Sequence, residues 1–221
     1  MPILFGIDGT GATPDNEYAE DTRDSFVRRL CQNGPVTTKR YERGPTIAGF
    51  KMMDAIDAGV AFITTQRRAG NNEPILLTGH SRGAAGVVVV ATRLAAQNVN
   101  VHAMLLFDCV DRHIRIDASV IPSNVGKVFH VRRDPRARSR ESFGNDGTIW
   151  NPPTVYQERF YVGTHGGMGG TYWKPGAGQN LNDLVDEGRP DGLTAVTFAQ
   201  DKRMSETIWA EVQPFLRENG F

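Results

Sequence analysis

The chain has 221 residues, of which 39% are hydrophobic and 23% are charged, and its 25 basic side chains balance 25 acidic ones. This composition predicts one soluble globular domain, large enough to bury a full core. A net charge of zero excludes a bulk attraction to nucleic acid or to an anionic membrane. The two cysteines, Cys31 and Cys109, exclude a disulfide framework, and we expect both to be free thiols.

The N-terminal residues enter a strand-like run at 3–7 without the basic and apolar regions of a signal peptide. The longest apolar stretch covers 83–91 and is far shorter than the roughly 20 residues that span a bilayer. We therefore expect a cytoplasmic protein, with signal-independent export as the alternative.

Strand and helix signals alternate along the chain, and no internal repeat interrupts them. The predicted strands are 3–7, 36–41, 74–78, 101–107, 127–131 and 155–162. The predicted helices are 20–31, 51–68, 82–97 and 203–217, and Pro214 is expected to kink the last one or to end it early. The alternation predicts an α/β fold over residues 1–221, with helices on both faces of a mostly parallel sheet and no separate cap domain.

The segment Gly79-His80-Ser81-Arg82-Gly83 matches the pattern G-x-S-x-G between a predicted strand and an apolar helix. Such a turn is so tight that the residues two positions either side of the serine must lack side chains. The serine oxygen then projects above the sheet edge, beside a helix N-terminus that favours negative charge. Ser81 is therefore the predicted nucleophile, and a glycine-rich turn with an incidental serine is the structural alternative.

A nucleophilic serine needs a base, and the base needs an orienting carboxylate. Asp108 and His165 each stand just past the end of a predicted strand. The carboxyl ends of parallel strands share one edge of a sheet, where ligands bind. We therefore predict a triad of Ser81, Asp108 and His165, with Asp111 as the alternative acid and His113 as the alternative base.

The triplet Asp8-Gly9-Thr10 ends the first predicted strand and admits two interpretations. Phosphatases of the haloacid dehalogenase type have a similar Asp-x-Asp-Gly-Thr motif, in which the first Asp is the nucleophile. Gly6 stands at that position here, so phosphoryl transfer would lack an attacking group. We therefore favour the second interpretation, in which this loop contributes to the site of Ser81.

In folds with this serine turn, the loop after an early strand supplies an oxyanion N–H, and another comes from the residue after the nucleophile. Glycines in the loop permit close backbone approach. We therefore predict an oxyanion hole from Arg82, Gly9 and Thr10. Gly11 and Trp173 are the predicted substrate-binding residues.

Five ordered blocks cover most of the chain: DGT at 8–10, YERGPT at 41–46, GHSRGA at 79–84, FDCV at 107–110 and GTHGGMGGTY at 163–172. In content and order they resemble the α/β-hydrolase domain family of unassigned function found in type VI secretion phospholipase effectors and related bacterial and fungal proteins. The resemblance implies an α/β-hydrolase fold, the triad Ser81, Asp108 and His165, and hydrolysis of lipid or phospholipid esters.

Three positions depart from this family's pattern. The family usually has Phe where His80 stands, Thr where Cys109 stands, and Asp where Gly167 stands, two residues after the histidine of the triad. Because this Asp is missing, the resemblance implies no metal or structural role at position 167.

Five arginines fall within nine residues, and they are Arg132, Arg133, Arg136, Arg138 and Arg140. The favoured interpretation is a solvated loop that nearby acidic residues partly neutralise. A docking patch for a phosphate head group is the functional alternative.

Taken together, the residues predict a serine esterase or lipase that works by acyl transfer and requires no metal and no organic cofactor. Its expected partner is a small-molecule or lipid ester, with transient contact to a membrane surface and no nucleic acid. Two alternatives stay open. One is a catalytically silent module that binds a partner or a lipid, and the other is an amidase or peptidase with the same triad.

Overall fold

The structure is a computed structural model that describes residues 1–111 and 115–221. Its strands are β1 (Ile3–Ile7), β2 (Thr38–Glu42), β3 (Ile75–His80), β4 (Val101–Phe107), β5 (Val120–Ile121), β6 (Val125–Arg133), β7 (Ile149–Trp150), β8 (Val155–Tyr161), β9 (Leu184–Asp186) and β10 (Leu193–Thr197). Its α-helices are α1 (Asp15–Asp21), α2 (Phe26–Arg28), α3 (Met52–Arg68), α4 (Arg82–Ala95), α5 (His165–Met168) and α6 (Phe198–Asn219). A π-helix over Arg29–Asn33 continues α2, and 3-10 turns cover Pro135–Ala137 and Glu141–Phe143.

Six strands form one parallel sheet in the order β2-β1-β3-β4-β6-β8. This arrangement confirms the predicted α/β-hydrolase-like fold. The chain passes from β1 to β2 on one side and then to β3 on the other side of β1. The segments that follow β1 and β3 therefore diverge and leave a crevice, which is where open parallel sheets bind ligands.

Strand β1 shows why both faces of the sheet are covered. Its five residues are all buried, and alternate side chains point to opposite faces. Ile3, Phe5 and Ile7 pack with α3 and α4 in one apolar core. Leu4 packs with α2 and α6 in a second core on the other face. Helices on both faces were predicted from the alternation of elements, and the two cores confirm this.

Helix α4 is the buried helix at the centre of the first core. Nine of its residues are buried, among them Val87, Val88 and Val90. Its apolar character on all sides therefore reflects burial within the protein. No helix in the described part of the chain is both long enough and apolar enough to cross a membrane.

The predicted helix at 20–31 is wrong in its bounds, because the chain forms two short helices there. Helix α1 ends at Asp21, and the next helix begins after Ser25. The Ser25 hydroxyl accepts the backbone N–H of Arg28, which makes it the N-cap of a new helix. A serine that caps a helix competes with continuation of the preceding one, so its polar side chain marks the break.

The last helix is longer than predicted at both ends. Thr197 and Gln200 form a capping box that starts α6 at Phe198, five residues before the predicted start at 203. The helix continues through Pro214 and ends at Asn219, followed by Gly220 with a φ of 81°. Tertiary packing of Val212 and Phe215 against the second core outweighs the cost of an internal proline.

Two glycines allow α4 to approach the sheet closely. A Cβ placed at Gly83 would lie 2.1 Å from the carbonyl oxygen of Asp8 and 2.3 Å from that of Ile7. A Cβ placed at Gly79 would lie 2.7 Å from backbone atoms of Ala84. Since these neighbours are backbone, they cannot move aside without shifting β1 or α4, so the glycines fix the tightness of the turn around Ser81.

We expect Gly83→Ala to lower the free energy of unfolding by about 2–3 kcal/mol, because the new methyl group must displace the end of β1. Urea denaturation followed by circular dichroism measures this change. Gly176→Ala is the matched control, since its Cβ would meet only the flexible side chain of Gln179 at 3.2 Å. Equal stabilities of the two variants would contradict the proposed close approach.

Candidate active site

Ser81 occupies the turn between β3 and α4 in a backbone conformation that is rare for a residue with a side chain. Its φ is 56° and its ψ is −130°, and such strain costs about 1–3 kcal/mol. The turn is held because the Ser81 N–H donates to the carbonyl of Phe107 at 2.9 Å, while the Ser81 carbonyl accepts the N–H of Ala84 at 3.0 Å. The surrounding structure therefore holds this serine at the crevice.

The structure brings the three predicted triad residues into one hydrogen-bonded chain. The Ser81 hydroxyl lies 2.7 Å from Nε2 of His165. On the other side of the ring, Nδ1 of His165 lies 2.6 Å from Oδ2 of Asp108. All three residues are buried, and Asp108 is completely so. With Nδ1–H donating to the carboxylate, Nε2 carries the lone pair that can accept the serine proton.

The alternative acid lies elsewhere in the structure. The Asp111 carboxylate accepts the backbone N–H of Ala118 at 3.2 Å, and its own N–H donates to Asp146. His113 lies outside the described residues. Of the two candidate acids, the one that contacts the imidazole is therefore Asp108.

The backbone of His165 is held from two sides. Its N–H donates to the hydroxyl of Ser139 at 2.7 Å. Its carbonyl accepts a hydrogen bond from Nε2 of His80 at 3.0 Å. The hydroxyl of Thr164 accepts the N–H of Gly167 and thereby caps the short helix α5 that carries the imidazole. These contacts hold His165 through its backbone and leave both ring nitrogens for Ser81 and Asp108.

Charges around the ring keep the acid ionised and the base neutral. Burial opposes ionisation of Asp108, but hydrogen bonds and charges from His165 and Arg133 outweigh it and hold the pKa of this carboxyl well below its usual range. Burial is also the main cause that lowers the pKa of His165 below 6.5, although Asp108 acts in the opposite direction. The imidazole is therefore uncharged at neutral pH and can act as a base.

His80 was treated in the sequence only as a departure from the family pattern, and the structure gives it a specific place. Its ring centroid lies 5.1 Å from that of His165, and burial lowers its pKa to about 4. Gly9 and Gly169 make room for it, since a Cβ at either position would lie within 2.7 Å of its ring. A phenylalanine could fill the same space but could not donate to the His165 carbonyl.

The predicted oxyanion hole needs one correction. The backbone N–H of Gly9 donates to the carboxylate of Asp8 at 2.8 Å, so it is not offered to the crevice. The N–H of Gly11 is also engaged, by the carbonyl of Pro45 at 3.2 Å. The N–H of Thr10 has no acceptor among the described residues. Of the loop residues predicted to form the oxyanion hole, Thr10 is the one whose N–H is not engaged, and its role there, with that of the Arg82 N–H at the start of α4, stays a prediction.

The side chain of Arg82 joins this loop to the serine turn. Its Nε donates to the hydroxyl of Thr10 at 2.6 Å, and its Nη2 donates to the carbonyl of Thr46 at 3.2 Å. These bonds hold Thr10 next to the N-terminus of α4, which is where both predicted oxyanion donors must meet.

A buried polar cluster stabilises the loop Asp8-Gly9-Thr10 that follows β1. The Asp8 carboxylate is completely buried and accepts the hydroxyl of Tyr41 at 3.0 Å in addition to the Gly9 N–H. The Tyr18 hydroxyl donates to the Gly9 carbonyl and accepts the N–H of Gly44, both at 2.7 Å. Burial raises the pKa of Asp8. These bonds fix the backbone conformation that presents Thr10.

Asp201 occupies the space next to Gly167, where the family pattern has an aspartate. A Cβ at Gly167 would lie 2.3 Å from Oδ1 of Asp201. This carboxylate reaches in from α6 and accepts the N–H and the hydroxyl of Thr164, both at 2.8 Å, and the N–H of Trp173 at 3.0 Å. It therefore holds the residue before His165. The backbone of Trp173, predicted to bind substrate, is anchored by the same group, and its substrate contact stays a prediction.

The arginine run is mostly neutralised by acids within the fold. Ion pairs join Arg132 to Glu158, Arg133 to Asp108, Arg136 to Asp134 and Arg140 to Glu187 and Asp191. Only one of these partners, Asp134, is an acid within the run. The favoured interpretation of a solvated loop fails at Arg133, which is buried against the acid of the triad.

Comparison with known proteins finds similar folds among solved structures. A scan against protein-family models and a search of curated proteins find no match. The NocB thioesterase domain, in a covalent complex with a fluorophosphonate nocardicin G analogue, is 12% identical over 75% of this chain and 86% of that chain, with a TM-score of 0.44. Human thioesterase 2 is 10% identical over 73% of this chain and 86% of that chain, with a TM-score of 0.42. RedJ thioesterase from Streptomyces coelicolor is 12% identical over 76% of this chain and 84% of that chain, with a TM-score of 0.41. The likeness is limited to the general course of the backbone.

We expect Asp108→Asn to slow the reaction of Ser81 with a fluorophosphonate probe by about 10³–10⁴-fold, because an amide no longer fixes the tautomer of His165. Asp111→Asn is the control and should keep the wild-type labelling rate within a few-fold. Circular dichroism checks that both variants are folded. Equal losses in the two variants, or a larger loss in Asp111→Asn, would reassign the acid.

Proposed function

We propose that the protein is a serine hydrolase that cleaves carboxylic esters through an acyl-enzyme. The observation that carries this proposal is the buried chain from Ser81 Oγ to His165 Nε2 and from His165 Nδ1 to Asp108, with distances of 2.7 Å and 2.6 Å. A serine in a strained turn, a neutral imidazole and an ionised carboxylate in this order are what nucleophilic acyl transfer needs. A structural role alone would not require a strained serine at the carboxyl edge of the sheet, hydrogen-bonded to a histidine.

In the proposed mechanism, Ser81 attacks the ester carbonyl while His165 takes its proton. The N–H groups of Arg82 and Thr10 stabilise the negative charge that develops on the carbonyl oxygen. His165 then protonates the leaving alcohol, and an acyl group remains on the serine. Water, activated by the same imidazole, releases the acid and regenerates the serine. Asp108 keeps its charge and stabilises the imidazolium throughout.

We further propose that the acyl part of the substrate is apolar, as in lipid or phospholipid esters. Two large apolar side chains, Ile47 and Phe50, are 81% and 73% exposed on the turn that follows β2. This turn adjoins the serine, because the guanidinium of Arg82 donates to the carbonyls of Thr46 and Ile47. Apolar groups at the rim of the crevice favour an apolar ligand or a transient contact with a lipid surface. The five-block resemblance to phospholipase effectors supports the same substrate class.

A fluorophosphonate probe should label the wild type at Ser81, and Ser81→Ala should abolish labelling and lower p-nitrophenyl ester hydrolysis by about 10⁴-fold or more. Mass spectrometry of the labelled peptide identifies the site. The control is Ser123→Ala, an exposed serine before β6, which should behave as wild type. Full esterase activity in Ser81→Ala would refute the proposal. A folded wild type that does not react with the probe would favour the binding module.

Replacing both Ile47 and Phe50 by Ser should lower kcat/KM for a long-chain p-nitrophenyl ester by about tenfold or more, and that for the acetate ester by less than about threefold. Each lost apolar contact removes about 1–2 kcal/mol of binding to the chain but leaves the acyl carbonyl untouched. Val155→Ser is the control, since Val155 is 58% exposed at the amino end of β8, the opposite edge of the sheet. Equal losses on both esters would place the acyl chain elsewhere.

A further inference from the structure

Arg133, the last residue of β6, is a buried arginine that contacts the acid of the triad. Its side chain is 7% exposed, and its Nη1 lies 2.7 Å from Oδ2 of Asp108. This is the oxygen that also accepts Nδ1–H of His165. The backbone N–H of Arg133 donates to the other carboxylate oxygen at 3.3 Å. The acid is therefore shared between an imidazole and a permanently charged guanidinium.

The remaining donors of this guanidinium bind the segment that surrounds the base. Its Nε donates to the carbonyl of Ser139 at 3.0 Å, and its Nη2 donates to the carbonyls of Arg140 at 3.2 Å and Gly144 at 2.7 Å. The hydroxyl of Ser139 accepts the backbone N–H of His165. Arg133 thus connects the acid, the backbone of the base and the segment 139–144 in one rigid unit.

Other charged or titratable groups contact the imidazole or the residues around it. They are His80, Arg140, Glu187, Asp191 and Asp201. His80 is uncharged at neutral pH, since burial lowers its pKa to about 4. Nε of Arg140 lies 3.8 Å from Oε1 of Glu187, and its Nη1 lies 3.5 Å from Oδ2 of Asp191. These two acids, between β9 and β10, therefore offset its charge. Asp201 is engaged by the Thr164 hydroxyl and by two backbone N–H groups. Arg133 is the cation that contacts the acid directly.

We propose, on the basis of the proposed function, that Arg133 is a positioning residue that orients Asp108 and keeps the base His165 uncharged, and therefore active, at acidic pH. The reason is that a carboxylate already paired with a cation stabilises an imidazolium less than a lone buried carboxylate does. The guanidinium cannot lose its proton, so this effect is present at every pH at which the enzyme is folded.

The sign of the pH dependence follows from the base. His165 accepts the serine proton only when it is neutral, so activity falls as the pH drops through its pKa. Burial lowers this pKa, Asp108 raises it, and Arg133 and then Arg140 lower it. The acidic limb of the wild-type profile is therefore expected below pH 6.5, and removal of the Arg133 charge is expected to move that limb to higher pH.

The test compares pH profiles of Ser81 labelling and of kcat/KM for the wild type, Arg133→Gln and Arg133→Lys. We expect the midpoint of the acidic limb in Arg133→Gln to move to higher pH by about one pH unit. Arg133→Lys, which retains the charge, should stay closer to the wild type. Arg136→Gln is the control, since Arg136 is an exposed arginine paired with Asp134, and its limb should not move.

Two results would overturn the proposal. One is an acidic limb in folded Arg133→Gln that is unmoved or lower, and the other is a wild-type limb above pH 6.5. If Arg133→Gln does not fold, the position of the wild-type limb still tests the proposal, because a limb above pH 6.5 contradicts a base that is kept uncharged at acidic pH. Absence of wild-type labelling would refute the hydrolase proposal itself, whereas labelling with an unmoved limb would refute only the role of Arg133.

Discussion

The site depends on the buried carboxylate of Asp108. A charge without exposure to water is tolerated only if it is paired and hydrogen-bonded, and here a histidine and an arginine meet it on one oxygen. These two partners come from α5 and from the end of β6, while the acid itself follows β4. The need to pair this one buried charge therefore fixes three separate segments relative to one another. The serine turn then has only to place the Ser81 hydroxyl against the imidazole of His165.

Much of this arrangement could be predicted from the sequence because its signals are local. The apolar strand before Ser81, the glycines around it and the apolar helix after it define the turn without knowledge of any partner. Asp108 and His165 could be proposed because the ends of parallel strands share an edge. The α/β sheet followed from the alternation of elements. The clearest misplaced bounds are those of helices, at Ser25 and at the Thr197 cap, and the four short strands β5, β7, β9 and β10 were not predicted.

The parts that the sequence did not reveal are set by contacts between distant residues. Arg133 belonged to a run of arginines, and nothing in the run distinguishes the one that turns inward from those that meet solvent. The N–H of Gly9 was assigned to the oxyanion hole because glycine permits close approach, yet that group binds Asp8. His80 was noticed only as an unusual residue, and its bond to the carbonyl of His165 depends on how β3 and α5 pack.

Asp201 has a consequence for the order in which the site can form. In the family pattern that the sequence resembles, the acid stands two residues after the histidine, whereas here it belongs to α6, 36 residues beyond His165 (201 − 165). The N–H and the hydroxyl hydrogen of Thr164, the residue that caps the short helix with the base, have their acceptor only once α6 has packed against this segment. The candidate site is therefore complete only when the last helix of the chain is in place, although none of its three predicted triad residues belongs to that helix.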